Sequence, residues 1–148
     1  MTATDPFELR RFLAAQDGIH AVALGELRSG RKKTHWMWFV FPQLRGLGHS
    51  PMAERYALRS LKEAEAYLAH PVLGARLAEV TEAVLALEGR APCAVFGTPD
   101  DLKFRSSMTL FDLASGAPDS PFRRALALCW EGEADERTLA LLKMPVSA

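Results

Sequence analysis

Proline residues that follow a short polar side chain punctuate the chain, and this pattern constrains its fold more than any other feature. A proline follows Asp5, Ser50, Thr98 and Ser120, and a weaker case follows His70. Proline suits the first position of a helix because the N–H that it lacks would have no partner there, and the preceding side chain can accept a bond from a free amide. The repetition predicts several short helices with sharp beginnings.

The apolar residues between these prolines recur at helical spacing. The main stripes are Leu73, Leu77, Val80, Val84 and Leu87, with Gly89 as terminator; Phe104, Met108 and Phe111; and Phe122, Leu126 and Cys129. Ser60 and Glu63 have the spacing of a capping box, and a last short helix is expected from Glu136 to Leu142. The pattern predicts a mainly α protein, with residues 1–148 forming a single compact domain of short helices.

One aromatic and β-branched segment, from Trp36 to Phe41, has the propensity of a strand. The only other candidate, residues 93–96, is too short to pair with it convincingly. An isolated strand would bury unpaired backbone groups. We therefore interpret the segment as a short buried helix or irregular stretch that ends at Pro42.

The composition is that of a globular protein and disfavours several classes of partner. The 148 residues are 49% hydrophobic and 24% charged, with 18 basic and 18 acidic side chains. A chain without net charge has no global field that would attract nucleic acid or an anionic membrane. The longest apolar run is far too short to span a bilayer, and no signal peptide is visible at residues 1–5. We expect a cytoplasmic protein that does not associate with membranes.

Cysteine and histidine residues are too few and too scattered to indicate a metal site. Cys93 and Cys129 each lie in an apolar context, and we interpret both as small buried hydrophobic residues rather than a disulfide scaffold or zinc ligands. The four histidines show no ligand spacing, so we predict no metal. The nucleophile elbow, the phosphate-binding loop and the dinucleotide fingerprint are missing from the sequence, and we predict no cofactor.

The first candidate site segment, residues 31–50, combines aromatic, basic and glycine residues. Trp36 and Trp38 could stack on a planar ligand, and Gln43 could orient a ligand amide. His35 is the candidate for acid–base chemistry, because an imidazole changes charge near neutral pH. The alternatives are that the tryptophans pack in the core, that residues 31–33 form a solvated loop and that His35 bonds to the backbone.

The second candidate segment, residues 98–111, begins a helix. Its acidic residues are explained by capping and by the helix dipole. Lys103, Ser106 and Ser107 fall on a different face from Phe104 and Met108, and hydroxyl groups beside a lysine in a helix interior could mark a polar pocket. Arg105 could clamp an anion or form a surface ion pair four residues after an aspartate.

Long runs in the sequence resemble a known family, domain-of-unknown-function family 1810. The matching runs are residues 33–44 with the glycines and serine that follow, residues 67–74, residues 96–111, and Arg11-Phe12 with Ala15-Gln16. Thr34 stands where serine is usual, which preserves the hydroxyl. The resemblance implies a mainly helical domain and no assigned activity, so no catalytic residue is carried over. The name calpastatin, often given to this family, does not fit, since those inhibitors are disordered.

We therefore hypothesise a pocket for a small anionic or nucleotide-like molecule, with any catalysis left open. Its residues would be His35, Trp36, Trp38, Gln43, Lys103, Arg105, Ser106 and Ser107. The alternative is a protein-interaction module without catalysis, in which the aromatics are anchors and the charges are caps. Nucleic-acid binding through the basic residues of 28–45 is disfavoured by the zero net charge. The oligomeric state stays open.

Overall fold

The computed structural model describes residues 5–87 and 92–143, and within them the chain is helical. The only strand-like feature there is a single bridge between Leu44 and Leu58. The mainly α prediction is confirmed. The helices are α1 (Arg10–Gln16), α2 (Ile19–Arg28), α3 (Met37–Val40), α4 (Pro51–Arg55), α5 (Leu61–Ala69), α6 (Leu73–Leu85), α7 (Asp100–Ser115), α8 (Pro121–Trp130) and α9 (Glu136–Leu141), with a 3₁₀ turn at Pro92–Val95. No helix among these is long and apolar enough to cross a membrane.

Serine residues cap three helices as their spacing predicts. Ser50, Ser60 and Ser120 each accept a bond from the amide three residues later, at 3.1 Å in every case. The other predicted starts differ. Asp5 accepts bonds from the amides of residues 9 and 10, and α1 begins only at Arg10. No side chain caps α7, which begins at Asp100.

Within the aromatic segment from Trp36 to Phe41, residues 37–40 form the short helix α3, so the interpretation as a short buried helix or irregular stretch is confirmed. The last predicted helix is present as α9, ending at Leu141. The proposed terminator Gly89 lies outside the described residues. The local capping and spacing signals therefore place most of the helices correctly.

The longest helix, α7, packs against α5 and α8 and also contacts α3 and α9. Phe104 on its buried face is fully enclosed. The ring of Phe104 lies 5.0 Å from that of Phe41 and 4.5 Å from that of Phe96, measured between centroids. This aromatic cluster fixes the first half of α7 against the segment that carries α3.

Polar contacts of Gln16 and Arg11 tie α1 to the rest of the bundle. Gln16 donates to the carbonyl of Phe39 at 2.7 Å and to the hydroxyl of Tyr67 at 3.0 Å. Burial raises the pKa of Tyr67, so its hydroxyl stays protonated. Arg11 forms an ion pair at 3.0 Å with Glu63, whose side chain is 1% exposed. The Gln16 bond to Phe39 thus holds the carbonyl end of α3 in place, and the Arg11–Glu63 pair joins α1 to α5.

A disulfide joins Cys93 to Cys129, so the prediction that both are independent buried hydrophobic residues is wrong. The bond connects the 3₁₀ turn to α8 across a separation of 36 residues. Two solitary cysteines so far apart carry no spacing signal, and only the tertiary packing brings them together. Disulfides persist mainly in oxidising compartments, so the bond weighs against the cytoplasmic location, which stays a prediction.

Candidate functional site

A cavity of about 380 Å³ lies where three parts of the chain meet. These parts are the end of α3 with the loop into α4, the first turns of α7, and the beginning of α9. The walls consist of Trp38, Gln43, Leu47, Gly48, His49, Ser50, Ala53, Pro99, Leu102, Lys103, Ser106, Asp135 and Arg137. The volume suits a small ligand, and the walls mix apolar side chains with a few polar groups, as ligand sites usually do.

Four of the predicted site residues line this cavity together: Trp38, Gln43, Lys103 and Ser106. The first two come from the segment at residues 31–50 and the last two from α7. The two segments singled out in the sequence therefore do meet in space. Their roles as ligand contacts stay predictions.

Lys103 and Trp38 link the two segments at the cavity wall. The Lys103 ammonium lies 5.5 Å from the centroid of the Trp38 ring, within the range of a cation–π contact. It also lies 3.3 Å from a carboxylate oxygen of Asp100, one turn earlier on α7. The Lys103 side chain is 32% exposed, so its charge is accessible from the cavity.

A second lysine, Lys32, which does not line the cavity, also pairs with the Asp100 carboxylate. The Lys32 ammonium lies 2.8 Å from Asp100, donates to the carbonyl of Thr34 at 2.6 Å and stands 5.0 Å from the Trp36 ring. Its side chain is only 6% exposed. One carboxylate thus serves two ammonium groups, which leaves positive charge at the cavity edge.

Trp36 is buried outside the cavity, and its indole N–H is held by Glu26 of α2 at 3.0 Å. Glu26 also accepts the amides of Lys33 and Thr34 and the Thr34 hydroxyl, at 2.6–2.9 Å. Burial raises the pKa of Glu26, but these hydrogen bonds outweigh it and lower the pKa to about 2. In this position Trp36 anchors the loop rather than lining the hollow.

His35, the predicted acid–base residue, is exposed and does not line the cavity. The imidazole in the cavity wall belongs to His49, in the glycine-rich stretch before α4. Sequence reasoning passed over His49 because it stands alone among turn residues, with no aromatic run beside it. His49 is also exposed, and the loop after the bridge at Leu44 that carries it has no periodic signature.

The two remaining predicted residues on α7 also lie outside the cavity lining. Arg105 donates to the carbonyls of Glu133 at 3.1 and 3.0 Å and of Ala134 at 3.3 Å, and it lies over the Trp130 ring. It therefore fixes the loop that leads into α9. Ser107 is fully buried, and its hydroxyl finds no hydrogen-bond partner within the part of the chain that the structure describes.

Sequence reasoning missed Asp135 and Arg137, which complete the cavity from α9. Asp135 caps this helix by accepting the amide of Thr138 at 3.1 Å, and it also accepts the hydroxyls of Thr138 and Ser106 at 2.5 and 3.1 Å. Arg137 is exposed and makes one long bond, at 3.4 Å, to the carbonyl of Leu47. In sequence both resemble an ordinary helix start, so no signal would have identified them.

The family model described as "Protein of unknown function (DUF1810)" matches residues 6–142. The chain belongs to the DUF1810 family. The crystal structure of the conserved hypothetical protein Rv1873 from Mycobacterium tuberculosis, at 1.38 Å, is 52% identical in sequence and superposes with a TM-score of 0.90. The match covers 95% of this chain and 100% of that one. No curated protein matches the chain.

Charged side chains of both signs line the cavity of this DUF1810 protein. Lys103 and Arg137 contribute two positive groups, and Asp135 contributes a carboxylate that already accepts three hydrogen bonds. Within residues 5–87 and 92–143, no three histidine, cysteine or carboxylate side chains gather as a metal site would need. The cavity lining therefore combines two positive side chains, one carboxylate and the Trp38 ring.

Proposed function

We propose that this DUF1810 protein binds a small anionic molecule with a planar, nucleotide-like ring in the cavity beside Trp38 and Lys103. The observation that carries the proposal is the position of the Lys103 ammonium, 5.5 Å from the Trp38 ring and at the cavity wall. A planar ring could stack on the half-buried indole while its anionic group meets the ammonium.

The charge balance around Lys103 supports an anion. The Asp100 carboxylate pairs with both Lys32, at 2.8 Å, and Lys103, at 3.3 Å. Its single negative charge therefore balances only one of the two positive charges. A bound anion would complete the pairing of Lys103. Because the wall is partly shielded from water, such a pair is stronger there than on an open surface.

Arg137 offers a second positive group in the same wall. No carboxylate of the described ranges forms an ion pair with it, and its bond to Leu47 is long. A guanidinium group presents paired N–H donors that match a phosphate or a carboxylate. Gln43 and Ser106 add neutral hydrogen-bonding groups that could orient the ligand.

The predicted residues outside the cavity take supporting roles in this proposal. Trp36 and Arg105 hold the two loops that form the walls, through Glu26 and through the carbonyls before α9. Should the ligand be transformed, for example at an N-glycosidic bond, His49 is the histidine that lines the cavity. We accordingly assign the candidate acid–base position to His49 and not to His35.

Isothermal titration calorimetry with AMP, ADP and ADP-ribose, and with neutral adenosine for comparison, tests the proposal. We expect the anionic nucleotides to bind and adenosine to bind at least about tenfold more weakly, because charge-assisted hydrogen bonds contribute most of the affinity. Lys103→Gln should weaken binding by about the same factor. Lys33→Gln, at an exposed lysine outside the cavity, is the matched control and should bind normally. No heat with any anion would contradict the proposal.

A second candidate, a protein-interaction module, draws on Leu102, which lines the cavity and yet is 53% exposed. A large apolar side chain at a cavity rim can anchor a partner chain. Leu102→Ser would then abolish the co-purification of a stoichiometric protein. The first proposal predicts no such partner.

A further inference from the structure

Asp135 presents one carboxylate oxygen that the helix cap does not use. The Oδ2 atom accepts the Thr138 amide, the Thr138 hydroxyl and the Ser106 hydroxyl, at 3.1, 2.5 and 3.1 Å. No partner for Oδ1 occurs in the portion of the chain that the structure describes. Since Asp135 lines the cavity and is only partly buried, Oδ1 is an acceptor available to a ligand.

Ser106 supplies a second acceptor next to this carboxylate. Its hydroxyl lies 3.1 Å from both Asp135 Oδ2 and the carbonyl of Leu102, and it has one proton to donate to either of them. The lone pairs of the oxygen remain available. Ser106 is 6% exposed and lines the cavity. The position of Asp135 beside Ser106 is well fixed, because the Asp135 amide also donates to the Thr109 hydroxyl at 2.8 Å.

A ligand that is only anionic does not fit this part of the wall. A negative group beside Asp135 would be repelled, and a purely apolar group would cover a charged oxygen without a hydrogen bond. A hydroxyl group satisfies Oδ1 by donating its proton. The wall therefore combines cations, which suit an anionic group, with acceptors, which suit hydroxyl groups.

We propose that the ligand carries sugar hydroxyl groups in addition to its anionic group, and that Asp135 and Ser106 accept hydrogen bonds from them. The inference rests on the proposed function and specifies its ligand as a ribose-containing nucleotide. In dinucleotide-binding Rossmann folds, a carboxylate likewise accepts a hydrogen bond from a ribose hydroxyl. The specificity-determining residue is Asp135, with Ser106 as its neighbour.

Calorimetry with AMP and its dideoxyribose analogue tests this inference, because the two share the ring and the phosphate and differ only in the ribose hydroxyls. We expect AMP to bind about tenfold more tightly to the unaltered protein, since a hydrogen bond to a charged group contributes that much or more. Asp135→Asn should reduce the preference to about twofold or less. Asparagine is as good a helix cap as aspartate, so α9 should remain.

Asp119→Asn, at an exposed aspartate outside the cavity, is the matched control and should keep the full preference. Equal affinities for the two nucleotides would overturn this inference and leave the proposed function standing. A preference that survives Asp135→Asn would overturn the role of Asp135. If neither nucleotide binds, both the proposed function and this inference are overturned. The first comparison uses the unaltered protein, so it does not depend on whether a variant folds.

Discussion

Glu26 and Trp36 are joined by a hydrogen bond of 3.0 Å from the indole N–H to a carboxylate oxygen. The same carboxylate accepts two backbone amides and a hydroxyl from residues 33–34. A single side chain of α2 thereby fixes the loop that leads into α3. Because α3 carries Trp38, the position of one cavity wall depends on Glu26, which does not itself line the cavity.

Glu26→Gln should therefore destabilise the protein at neutral pH, by about 2 kcal/mol, since it removes the charge from four hydrogen bonds. The folded-state pKa of about 2 lies below the ordinary 4.5. A lowered carboxyl pKa stabilises the folded state above the unfolded-state value, and that contribution is lost as pH falls from about 4.5 toward about 2. Urea unfolding at several pH values should show the two proteins converging below about pH 4.5.

Glu65→Gln is the control for this experiment, because Glu65 is exposed on α5. Its unfolding free energy should stay within about 0.5 kcal/mol of the unaltered protein at neutral pH. A constant difference between Glu26→Gln and the unaltered protein from neutral pH down to about pH 2 would contradict the assigned pKa.

Local signals in the sequence identified the helix starts at Ser50 and Ser120 because a cap needs only residues within one turn. They also identified α3, since a lone strand cannot satisfy its backbone. The disulfide between Cys93 and Cys129 was missed for the opposite reason, as it depends on how the turn at residues 92–95 packs on α8. Contacts between elements that are far apart along the chain leave no periodic pattern in the sequence.

The same distinction explains the candidate site. Lys103 and Trp38 stand out because each is unusual in its own segment, and the structure brings both to one cavity. His49 and Asp135 look like ordinary loop and cap residues, so only the fold shows that they line it. Ser107 is unusual for its helix but faces the interior. Unusual local chemistry thus identified the segments but not every side chain.

Asp100→Asn should destabilise the protein by about 3 kcal/mol, because it leaves the Lys32 ammonium buried without a counterion. Lys32→Met should cost less, about 1 kcal/mol, since the Asp100 carboxylate keeps Lys103 at 3.3 Å and methionine fills the apolar space. Urea unfolding of the two variants at neutral pH measures the difference. Equal losses of stability in the two variants would mean that the burial of Lys32 does not determine the contribution of its ion pair with Asp100.

Two adjacent serines of α7 should respond in opposite ways to the same substitution. The Ser107 hydroxyl is buried without a partner, so Ser107→Ala should leave stability unchanged or raise it by up to about 1 kcal/mol. Ser106→Ala removes a hydroxyl that lies 3.1 Å from Asp135 and should cost about 1 kcal/mol. Thermal or urea unfolding compares them.

The serine pair also separates stability from binding. Ser107→Ala should bind AMP normally because Ser107 does not line the cavity, whereas Ser106→Ala should weaken AMP binding by a factor of about three or more. Weaker AMP binding by Ser107→Ala, in a protein of unchanged stability, would place the ligand elsewhere than in this cavity.

Gly48 and Ala53 both line the cavity and lie so close together that position 48 has no room for a side chain larger than that of glycine. A Cβ atom at position 48 would lie 2.8 Å from the Cβ of Ala53. Gly48→Ala must therefore push the loop away from α4, with an expected loss of about 2 kcal/mol in stability and about tenfold in AMP affinity. Ala53→Gly removes the opposing carbon and costs only about 1 kcal/mol through its helix propensity.

The double variant should consequently recover much of the lost affinity and be more stable than the sum of the two single losses predicts. A double-mutant cycle of urea unfolding and AMP calorimetry measures this coupling, which should exceed about 0.5 kcal/mol for residues in contact. Since both residues line the cavity, recovery of affinity together with stability would connect the shape of this wall to binding. Additive losses would show that the loop moves freely, and that its contact with α4 does not shape the cavity.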